Sequence, residues 1–286
     1  MTDLVELKAP SSARRTTRSL TLAVGLILVG LHLLVGILTL FWTPYDPTAM
    51  TGGRLAPPSW EHWVGTDRLG RDLFTQIMIG SRIALTVGAG AVAIAALIGV
   101  TLGVLAAFAT RTLDDMLAAT FDILIAFPTL LLAMLVVAAT ETASLFSAIL
   151  ALGIAISAIV GRLTRILAKR VLAMDYITAA RTAGSSWLSI VFRHVLPNTW
   201  PTLSVNFALQ FGIAIIAEAS LSYLGLGAPP PNASWGRLLQ EAQGTVYTAP
   251  FGAVAPGIAL VSLVIGMNLL ADGLRDIGDP TRRGRR

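Results

Sequence analysis

Six long apolar runs dominate this chain of 286 residues and leave only short polar segments between them. The hydrocarbon core of a bilayer is about 30 Å thick, and about 20 helical residues cross it. Lipid offers no water to backbone amides and carbonyls, so runs of this length must be helical. The sequence therefore predicts an all-α polytopic membrane protein with six transmembrane helices. The predicted spans are 20–42, 83–110, 116–139, 144–161, 201–227 and 251–273.

The residue composition agrees with a membrane protein and excludes several other classes. Hydrophobic residues make up 55% of the chain and charged residues only 13%, whereas soluble domains have roughly 45–50% and about 25%. No cysteine is present, so the chain has no disulfide framework and no thiolate metal site. Small residues fill the second run, including Gly99 and Gly103, which favours close packing of that helix against other helices.

The distribution of Lys and Arg predicts how the helices are oriented. Sixteen of these 21 residues lie on one side of the six spans and five on the other. The positive-inside rule then predicts that both termini and the loop 162–198 lie in the cytoplasm. The chain divides into a basic tail over 1–19, a transmembrane domain over 20–280 and a basic tail over 281–286. These flanking residues account for the net charge of +5, so no nucleic-acid partner is expected. The first run exceeds the 7–15 residues typical of a signal peptide, so we expect a retained helix.

The polar segment between the fourth and fifth runs carries strong local signals. Asp175 is expected to cap a first short helix, and Gly184 to occupy the left-handed position after its end. Ser185 or Ser186 is expected to cap a second helix, which Pro197 ends. The segment is therefore predicted to form two short helices joined at a glycine hinge. Such a pair fits a contact with another protein and an amphipathic position on the lipid surface equally well.

The sequence contains none of the common catalytic signatures. It lacks the G-x-x-x-x-G-K-[ST] phosphate loop, the H-E-x-x-H zinc motif and the G-x-S-x-G nucleophile motif. Its three histidines, His32, His62 and His194, fall in different topological compartments. No polar stretch exceeds about 40 residues, which leaves no room for a folded catalytic domain. We therefore expect no enzymatic activity, no metal site and no cofactor bound by this chain.

A sequence pattern in the hinged segment carries a family resemblance. The tripeptide 178–180, then Gly184, then the dipeptide 196–197 follow the spacing of EAA, three residues, glycine and a more distant I-x-L-P. This pattern resembles the EAA loop of ABC-importer permeases, which implies a coupling helix that docks in a groove of a separate ATPase subunit. Thr178 stands where that family usually has glutamate, and His194 where isoleucine is usual. The residues assigned to this coupling loop are Asp175, Thr178, Ala179, Ala180, Arg181, Gly184, Leu196 and Pro197.

Three further stretches resemble one subfamily, the permeases for dipeptides, oligopeptides and nickel. Residues 62–82 resemble the entry to the second helix of these permeases, and residues 218–236 resemble the end of their fifth helix and its outer loop. Residues 272–280 resemble their C-terminal motif. The resemblance covers about residues 20–280 and is closer to the second, C-type permease of such systems than to the first.

The resemblance implies a set of partners. These are a homologous permease, two ATP-binding subunits (or one with two nucleotide-binding domains) that hydrolyse ATP with Mg²⁺, and an extracytoplasmic solute-binding protein. It also implies short peptides as substrate and the prokaryotic cytoplasmic membrane as location. In such an assembly Asp67, Arg71 and Asp72 would lie where the solute-binding protein docks, as part of a platform or gate. The alternative for this charged segment is a solvated turn.

Three acidic residues lie within or at the ends of apolar runs, Asp122, Glu218 and Asp272, and Asp272 is expected at the cytoplasmic interface. A charged group at mid-bilayer costs about 2.5–3.5 kcal/mol on insertion scales, so each should face protein or a water-filled cavity. A structural hydrogen bond is favoured for Asp122. For Glu218, pairing with a neighbouring helix is favoured over attraction of a peptide ammonium group. Asp122 and Glu218 could also form the relay of an ion-coupled secondary transporter without an ATPase, although such a protein would not need the hinged segment. An intramembrane enzyme or a membrane scaffold is a further alternative.

Overall fold

The computed structural model describes residues 13–139, 144–227, 229 and 233–278, with side chains described within 20–276. Ten α-helices occur in these ranges. They are α1 (Ala13–Leu38), α2 (Leu73–Phe108), α3 (Arg111–Ala126), α4 (Thr129–Ala139), α5 (Leu145–Leu172), α6 (Asp175–Thr182), α7 (Trp187–Ile190), α8 (Leu196–Tyr223), α9 (Trp235–Ala242) and α10 (Phe251–Gly278). A π-helical turn (Val191–Val195) joins α7 to α8, and a 3-10 turn (Gln243–Thr245) follows α9. The described ranges contain no named strand, which confirms the all-α prediction. The C-terminal basic tail, most of the N-terminal one and Asp279–Pro280 lie outside them.

The third predicted span, 116–139, is not one straight helix. Five helices of the described part are long and apolar enough to cross a membrane; α3 and α4 pass the same test together but are bent by 96° at the break between them, so the number of spans is five, or six if this pair counts as one. The bend lies at Phe127 and Pro128. Proline has no amide hydrogen to donate and disfavours helical backbone angles in the residue before it. Phe127 is accordingly extended, with φ −79° and ψ 134°.

The helices are longer than the apolar runs that predicted them. α2 begins at Leu73 and not at residue 83, because Asp72 caps its first turn. α5 continues to Leu172 and not only to residue 161, with two basic residues in its last turn. Lys and Arg are good helix formers, and cations are stabilised at a helix C-terminus, so α5 continues past its apolar run. The last turns of α5 lie within the predicted coupling loop 162–198, and α1 begins at Ala13, within the predicted tail.

The two parallel helices α2 and α5 form the largest helix contact of the bundle. A Cβ atom at Gly99 would lie 2.6 Å from the carbonyl oxygen of Ser157, and one at Gly103 would lie 2.5 Å from that of Gly161. Side chains cannot occupy such distances, so the two backbones approach closely only because both positions are glycine. The predicted close packing of the second span is therefore confirmed.

The bundle has two distinct ends. α1 and α10 are antiparallel, with Gly25 against Leu270 and Gly273 against Leu22. The start of α1 and the end of α10 therefore lie at the same end of the bundle, which also holds α6 and α7 and is called the hinge end below. The opposite end, called the cap end, holds residues 39–72 and α9.

A buried tryptophan fixes α9 against the cap end. The side chain of Trp235 is almost fully buried, and its indole Nε1 donates a hydrogen bond of 3.0 Å to the carbonyl oxygen of Ile77. Two glycines allow α9 to lie this close to α2 and α8. A Cβ at Gly80 would lie 2.4 Å from the indole ring, and one at Gly236 would lie 1.9 Å from the carbonyl oxygen of Ala219. The residues around Trp235 thus pack the short helix α9 against α2 and α8.

Candidate functional site

The hinge between α6 and α7 has the predicted glycine geometry. Gly184 has a φ of +83°, in the left-handed region. Its amide donates to the carbonyl of Arg181 at 3.0 Å, and the amide of Ser185 donates to the carbonyl of Ala180 at 3.0 Å. These two bonds form a Schellman motif, which satisfies carbonyls that the end of α6 leaves open. The glycine hinge is confirmed.

The predicted caps of the two short helices are partly right. Ser186 caps α7 and accepts a hydrogen bond of 3.3 Å from the amide of Ser189. Asp175 does not cap α6: it is the first helical residue, and Met174 occupies the cap position without a side-chain bond. The carboxylate of Asp175 still lies in the first turn, where negative charge is favourable. The sequence could not distinguish an Asp175 in the cap position from an Asp175 in the first turn, because both positions place an acid at the start of the helix.

Pro197 does not end the second short helix, contrary to the prediction. The chain from Trp187 to Tyr223 continues as one helical segment through the π-helical turn. Pro197 has no amide hydrogen for the carbonyl of Arg193, and its ring would clash with that carbonyl in a regular α-helix. The wider turn relieves this conflict, and the amide of Leu196 bonds to the carbonyl five residues before it.

The hairpin of α6 and α7 is anchored by one face and open on the other. Ile177 and Ile190 are buried against the last turns of α5 and the π-helical turn. Of the residues assigned to the coupling loop, only Ala180 and Leu196 are half-buried; the other six are exposed, including Thr178. Large apolar side chains extend the exposed face on both sides of the hinge. They are Met174, Tyr176, Trp187, Leu188 and Phe192.

An ion cluster around the buried Asp114, which the sequence did not reveal, supports the hinge end. Asp114 on α3 accepts two hydrogen bonds from Arg165 on α5, at 2.5 and 2.8 Å, and is also paired with Lys169. The contact ties the start of α3 to the last turns of α5. An acid in the first turn of a helix was the available signal, but its partners lie 51 and 55 residues away.

At the cap end, Asp72 has a structural task. Its side chain is buried, with the residue 3% exposed. One carboxylate oxygen caps α2 by accepting a hydrogen bond of 2.7 Å from the amide of Thr75. The other carboxylate oxygen lies 2.9 Å from Nδ1 of His62. The ring of His62 packs against Tyr45. Asp72 thus joins the loop 39–72 to the first turn of α2.

Asp67 and Arg71 form the second contact of the cap end. The carboxylate of Asp67 accepts from the backbone amides of Leu69 and Arg71 and from Nε of Arg71, at 2.6 to 2.9 Å. The guanidinium of Arg71 also reaches Glu241 on α9 at 3.0 Å, and Glu241 accepts from Arg237 at 2.8 Å. Asp67 is buried, so the alternative of a freely solvated turn is wrong. Nothing in the sequence pointed to Glu241 as the partner.

Replacing Asp72 by alanine is expected to lower the free energy of unfolding by about 1–2 kcal/mol, because the change removes an N-cap and a buried partner of His62. The melting temperature of the purified protein in detergent measures this loss. Asp46→Ala in the same loop is the matched control: Asp46 is fully exposed, and hydrogen bonds from the hydroxyl and then the amide of Thr48 lower its pKa. Equal melting temperatures for the two variants would contradict the assigned role.

The two acids within the spans have separate partners. Asp122 pairs with Arg162 at 3.1 Å, and both side chains are more than half exposed in the isolated chain. Glu218 is 2% exposed and accepts hydrogen bonds from Ser222, at 2.7 Å, and from Ser234. Glu218 lies five residues before the end of α8 at the cap end, and Ser234 begins α9, so this acid links the bundle to the cap. Asp122 lies towards the hinge end, beside the contact of Phe121 with Gly161 on α5.

Comparisons with known proteins agree with this architecture. The family described as binding-protein-dependent transport system inner membrane component matches residues 99–284. The dipeptide transport system permease protein DppC of Alkalihalophilus pseudofirmus is 39% identical over 259 residues, covering 90% of this chain and 84% of that protein. The glutathione transport system permease protein GsiD of Pectobacterium atrosepticum is 39% identical over 260 residues, covering 89% of this chain and 86% of that protein.

A solved structure shares the fold. An amino acid ABC transporter solved with histidines superposes with a TM-score of 0.55 and 16% identity, covering 71% of this chain and 94% of that chain. The helical bundle, the family match and the similarity to peptide permeases all point the same way. The chain belongs to the family of binding-protein-dependent transport system inner membrane components, the permease subunits of ABC importers.

Proposed function

We propose that this chain is one of two permease subunits of an ATP-driven importer that moves short peptides across the prokaryotic cytoplasmic membrane. The relatives named for dipeptide, peptide and glutathione transport support the substrate class. In this proposal the hinge end faces the cytoplasm, in agreement with the excess of Lys and Arg there, and both termini are cytoplasmic. The second permease is a homologue of this chain and completes the translocation path.

The observation that carries the proposal is the hairpin of α6 and α7. One face of it is fixed to the bundle by Ile177 and Ile190, and its other face exposes the coupling-loop residues together with large apolar side chains. A rigidly attached, exposed and partly apolar element is what a separate ATPase subunit needs in order to move the bundle. The ATPase subunits bind and hydrolyse ATP with Mg²⁺, and this chain binds no cofactor. Thr178 replaces the usual acidic contact, so apolar side chains such as Tyr176 and Trp187 carry more of the docking.

The solute-binding protein docks at the cap end in this proposal. Asp67 and Asp72 are buried, so they support the docking surface from within, and Arg71 joins that surface to α9. The exposed side chains of the same region, such as Arg68 and Leu69, are then available for the contact itself.

The ion-coupled alternative has little support in the described residues. A proton relay requires acids that exchange protons through a chain of contacts. Asp122 is paired with Arg162 towards the hinge end, whereas Glu218 is bonded to two serines near the cap end. The hydrogen bonds and ion pairs found between described residues do not connect the two acids.

Native purification tests the proposed function. The tagged chain, extracted in mild detergent from its own host, is expected to bring with it a second permease and two ATP-binding subunits, identified by mass spectrometry. Reconstituted with its solute-binding protein, that complex is expected to take up dialanine only when ATP is supplied on the ATPase side. A lone chain or a homodimer that moves solute without ATP would reject the importer in favour of the ion-coupled reading.

A further inference from the structure

A pocket lined mainly by aromatic rings opens at the cap end, between the end of α1 and the start of α2. Its volume is about 250 Å³, slightly below the range of about 300–1,000 Å³ typical of sites for drug-sized ligands. It is therefore sized for a small chemical group. The lining residues are Trp42, Pro44, Tyr45, Trp60, Glu61, Trp63, Asp72 and Phe74.

The aromatic side chains of this pocket are largely exposed in the described chain. Trp60 is 97% exposed, and Trp42 and Trp63 are more than half exposed. The ring of Trp63 packs against that of Phe74, with ring centroids 5.0 Å apart, which holds one wall of the pocket in place. Large apolar side chains that cluster on a surface mark a contact with another molecule or with the membrane.

The charge of the pocket is negative. Its lining contains two carboxylates, those of Glu61 and Asp72, and no Lys or Arg. Asp72 is already paired with His62. The backbone carbonyl of Glu61 accepts a hydrogen bond of 2.7 Å from the hydroxyl of Tyr45, but its exposed carboxylate has no hydrogen-bond or ion-pair partner among the described residues. A free carboxylate beside several aromatic rings suits an organic ammonium group, which forms both an ion pair and cation–π contacts there.

The position of the pocket indicates where that ammonium group comes from. The apolar span of α1 ends at Leu38, and the amide of Trp42 bonds back to the carbonyl of Leu38 at 2.9 Å. Leu31, Leu34 and Leu38 are exposed and lie on one helix face, because they are three and four residues apart. This face is about 10 Å long at 1.5 Å per residue, most of the roughly 15 Å that one leaflet contributes to the hydrocarbon core. Tryptophan rings are enriched at the headgroup level of membranes.

We propose that this pocket binds the ammonium headgroup of a phospholipid, such as phosphatidylethanolamine, in the leaflet at the cap end. The ammonium group lies beside Glu61 and against the indoles of Trp60 and Trp63, while an acyl chain lies along the exposed face of α1. The bound lipid thereby ties the loop 39–72 to the membrane surface. This inference does not depend on the proposed transport function.

Two other occupants match the pocket less well. A soluble ammonium compound and a basic side chain of the solute-binding protein both supply a cation. Neither of them covers the apolar face of α1, which continues from the pocket into the bilayer. An anionic lipid would cover that face, but it brings no cation and its charge is repelled by Glu61.

Native mass spectrometry of the full-length protein, purified in mild detergent with its native partners, tests the site. Dioleoylphosphatidylethanolamine is expected to bind at least fivefold more tightly than dioleoylphosphatidylethanol, which has the same chains and phosphate but no ammonium group. Free phosphoethanolamine at the same concentration should not displace the lipid. Equal binding of the two lipids, or displacement by the free headgroup, would overturn the inference.

Exposed positions allow the site to be altered without altering the fold. Glu61→Gln and Trp60→Ala are each expected to weaken phosphatidylethanolamine binding at least fivefold, with an unchanged melting temperature in lipid-free detergent. Trp60→Phe keeps an aromatic face and should restore most of the affinity. The controls are Asp46→Asn and Tyr247→Ala, which remove an exposed acid and an exposed aromatic ring at the same end but outside the pocket.

Two further outcomes would reject the site. If Glu61→Gln and Trp60→Ala bound the lipid as tightly as the two controls do, the lipid would lie elsewhere on the protein. If the solute-binding protein displaced the lipid from the wild type, the pocket would belong to a protein contact and not to the membrane.

Discussion

Gly184→Pro is expected to reduce the recovery of ATPase subunits with this chain at least tenfold, while the membrane bundle still folds. Proline requires a φ near −65°, whereas Gly184 has a φ of +83°. The change also removes the amide that bonds to Arg181 and disturbs Ala183, whose helical-type ψ of 7° is disfavoured before proline. The hinge would therefore open and misalign the exposed faces of α6 and α7. Co-purification measures the loss, and the melting temperature checks the bundle.

Gly184→Asn is the matched control at the same position. Asparagine enters the left-handed region more readily than other non-glycine residues, and it retains the amide hydrogen. A Cβ at Gly184 would meet no atom within 4 Å, so there is space for the new side chain. We expect this variant to recover the ATPase subunits nearly as well as the wild type. Normal recovery with Gly184→Pro would show that the hairpin is not the coupling element.

Gly103→Leu is expected to have the largest effect on the fold itself. Overpacking a core costs about 1–3 kcal/mol when side chains can adjust. Here the new Cβ would lie 2.5 Å from a backbone carbonyl oxygen, that of Gly161, and 2.6 Å from the Cβ of Thr164, and no rotamer change relieves a clash with backbone. α2 and α5 must then separate along their whole contact. We expect a melting temperature lower by many degrees, or no folded protein on size-exclusion chromatography.

Gly257→Ala on α10 controls for the general effect of replacing a helical glycine. A Cβ at Gly257 would meet no atom within 4 Å. Alanine has a higher helix propensity than glycine by roughly 0.8–1 kcal/mol, so this variant should be as stable as the wild type or slightly more so. If Gly103→Leu melted at the same temperature as Gly257→Ala, the close approach of α2 and α5 would not be essential to the fold.

The helices and the hinge could be read from the sequence because local rules dictate them. An apolar run in lipid has no alternative to a helix, and a glycine followed by a capping serine specifies where one short helix ends and the next begins. Ser186 and Gly184 therefore took their predicted places. The prediction that Pro197 ends a helix was wrong, because a proline stops a regular α-helix but not one that widens into a π-helical turn upstream.

Helix ends were harder to predict than helix cores, for a related reason. Hydropathy marks where a chain can contact lipid, whereas a helix ends where its backbone loses partners. α2 and α5 extend past their apolar runs because Asp72 caps one and basic residues favour the other. Pro128 was visible in the sequence, but the angle of 96° between α3 and α4 depends on what each of them packs against.

By itself, the sequence determined the membrane class, the glycine hinge and the family to which the chain belongs. Each of these depends on residues close together in the chain, or on motifs that other permeases share. Only the tertiary structure decided which charges are paired, since Asp114 meets Arg165 and Arg71 meets Glu241 across 51 and 170 residues. It also decided that the buried side-chain oxygens of Asn206 and Gln210 have no hydrogen-bond partner among the described residues. Burial and pairing depend on how several helices pack against one another, and no local pattern within one helix specifies them.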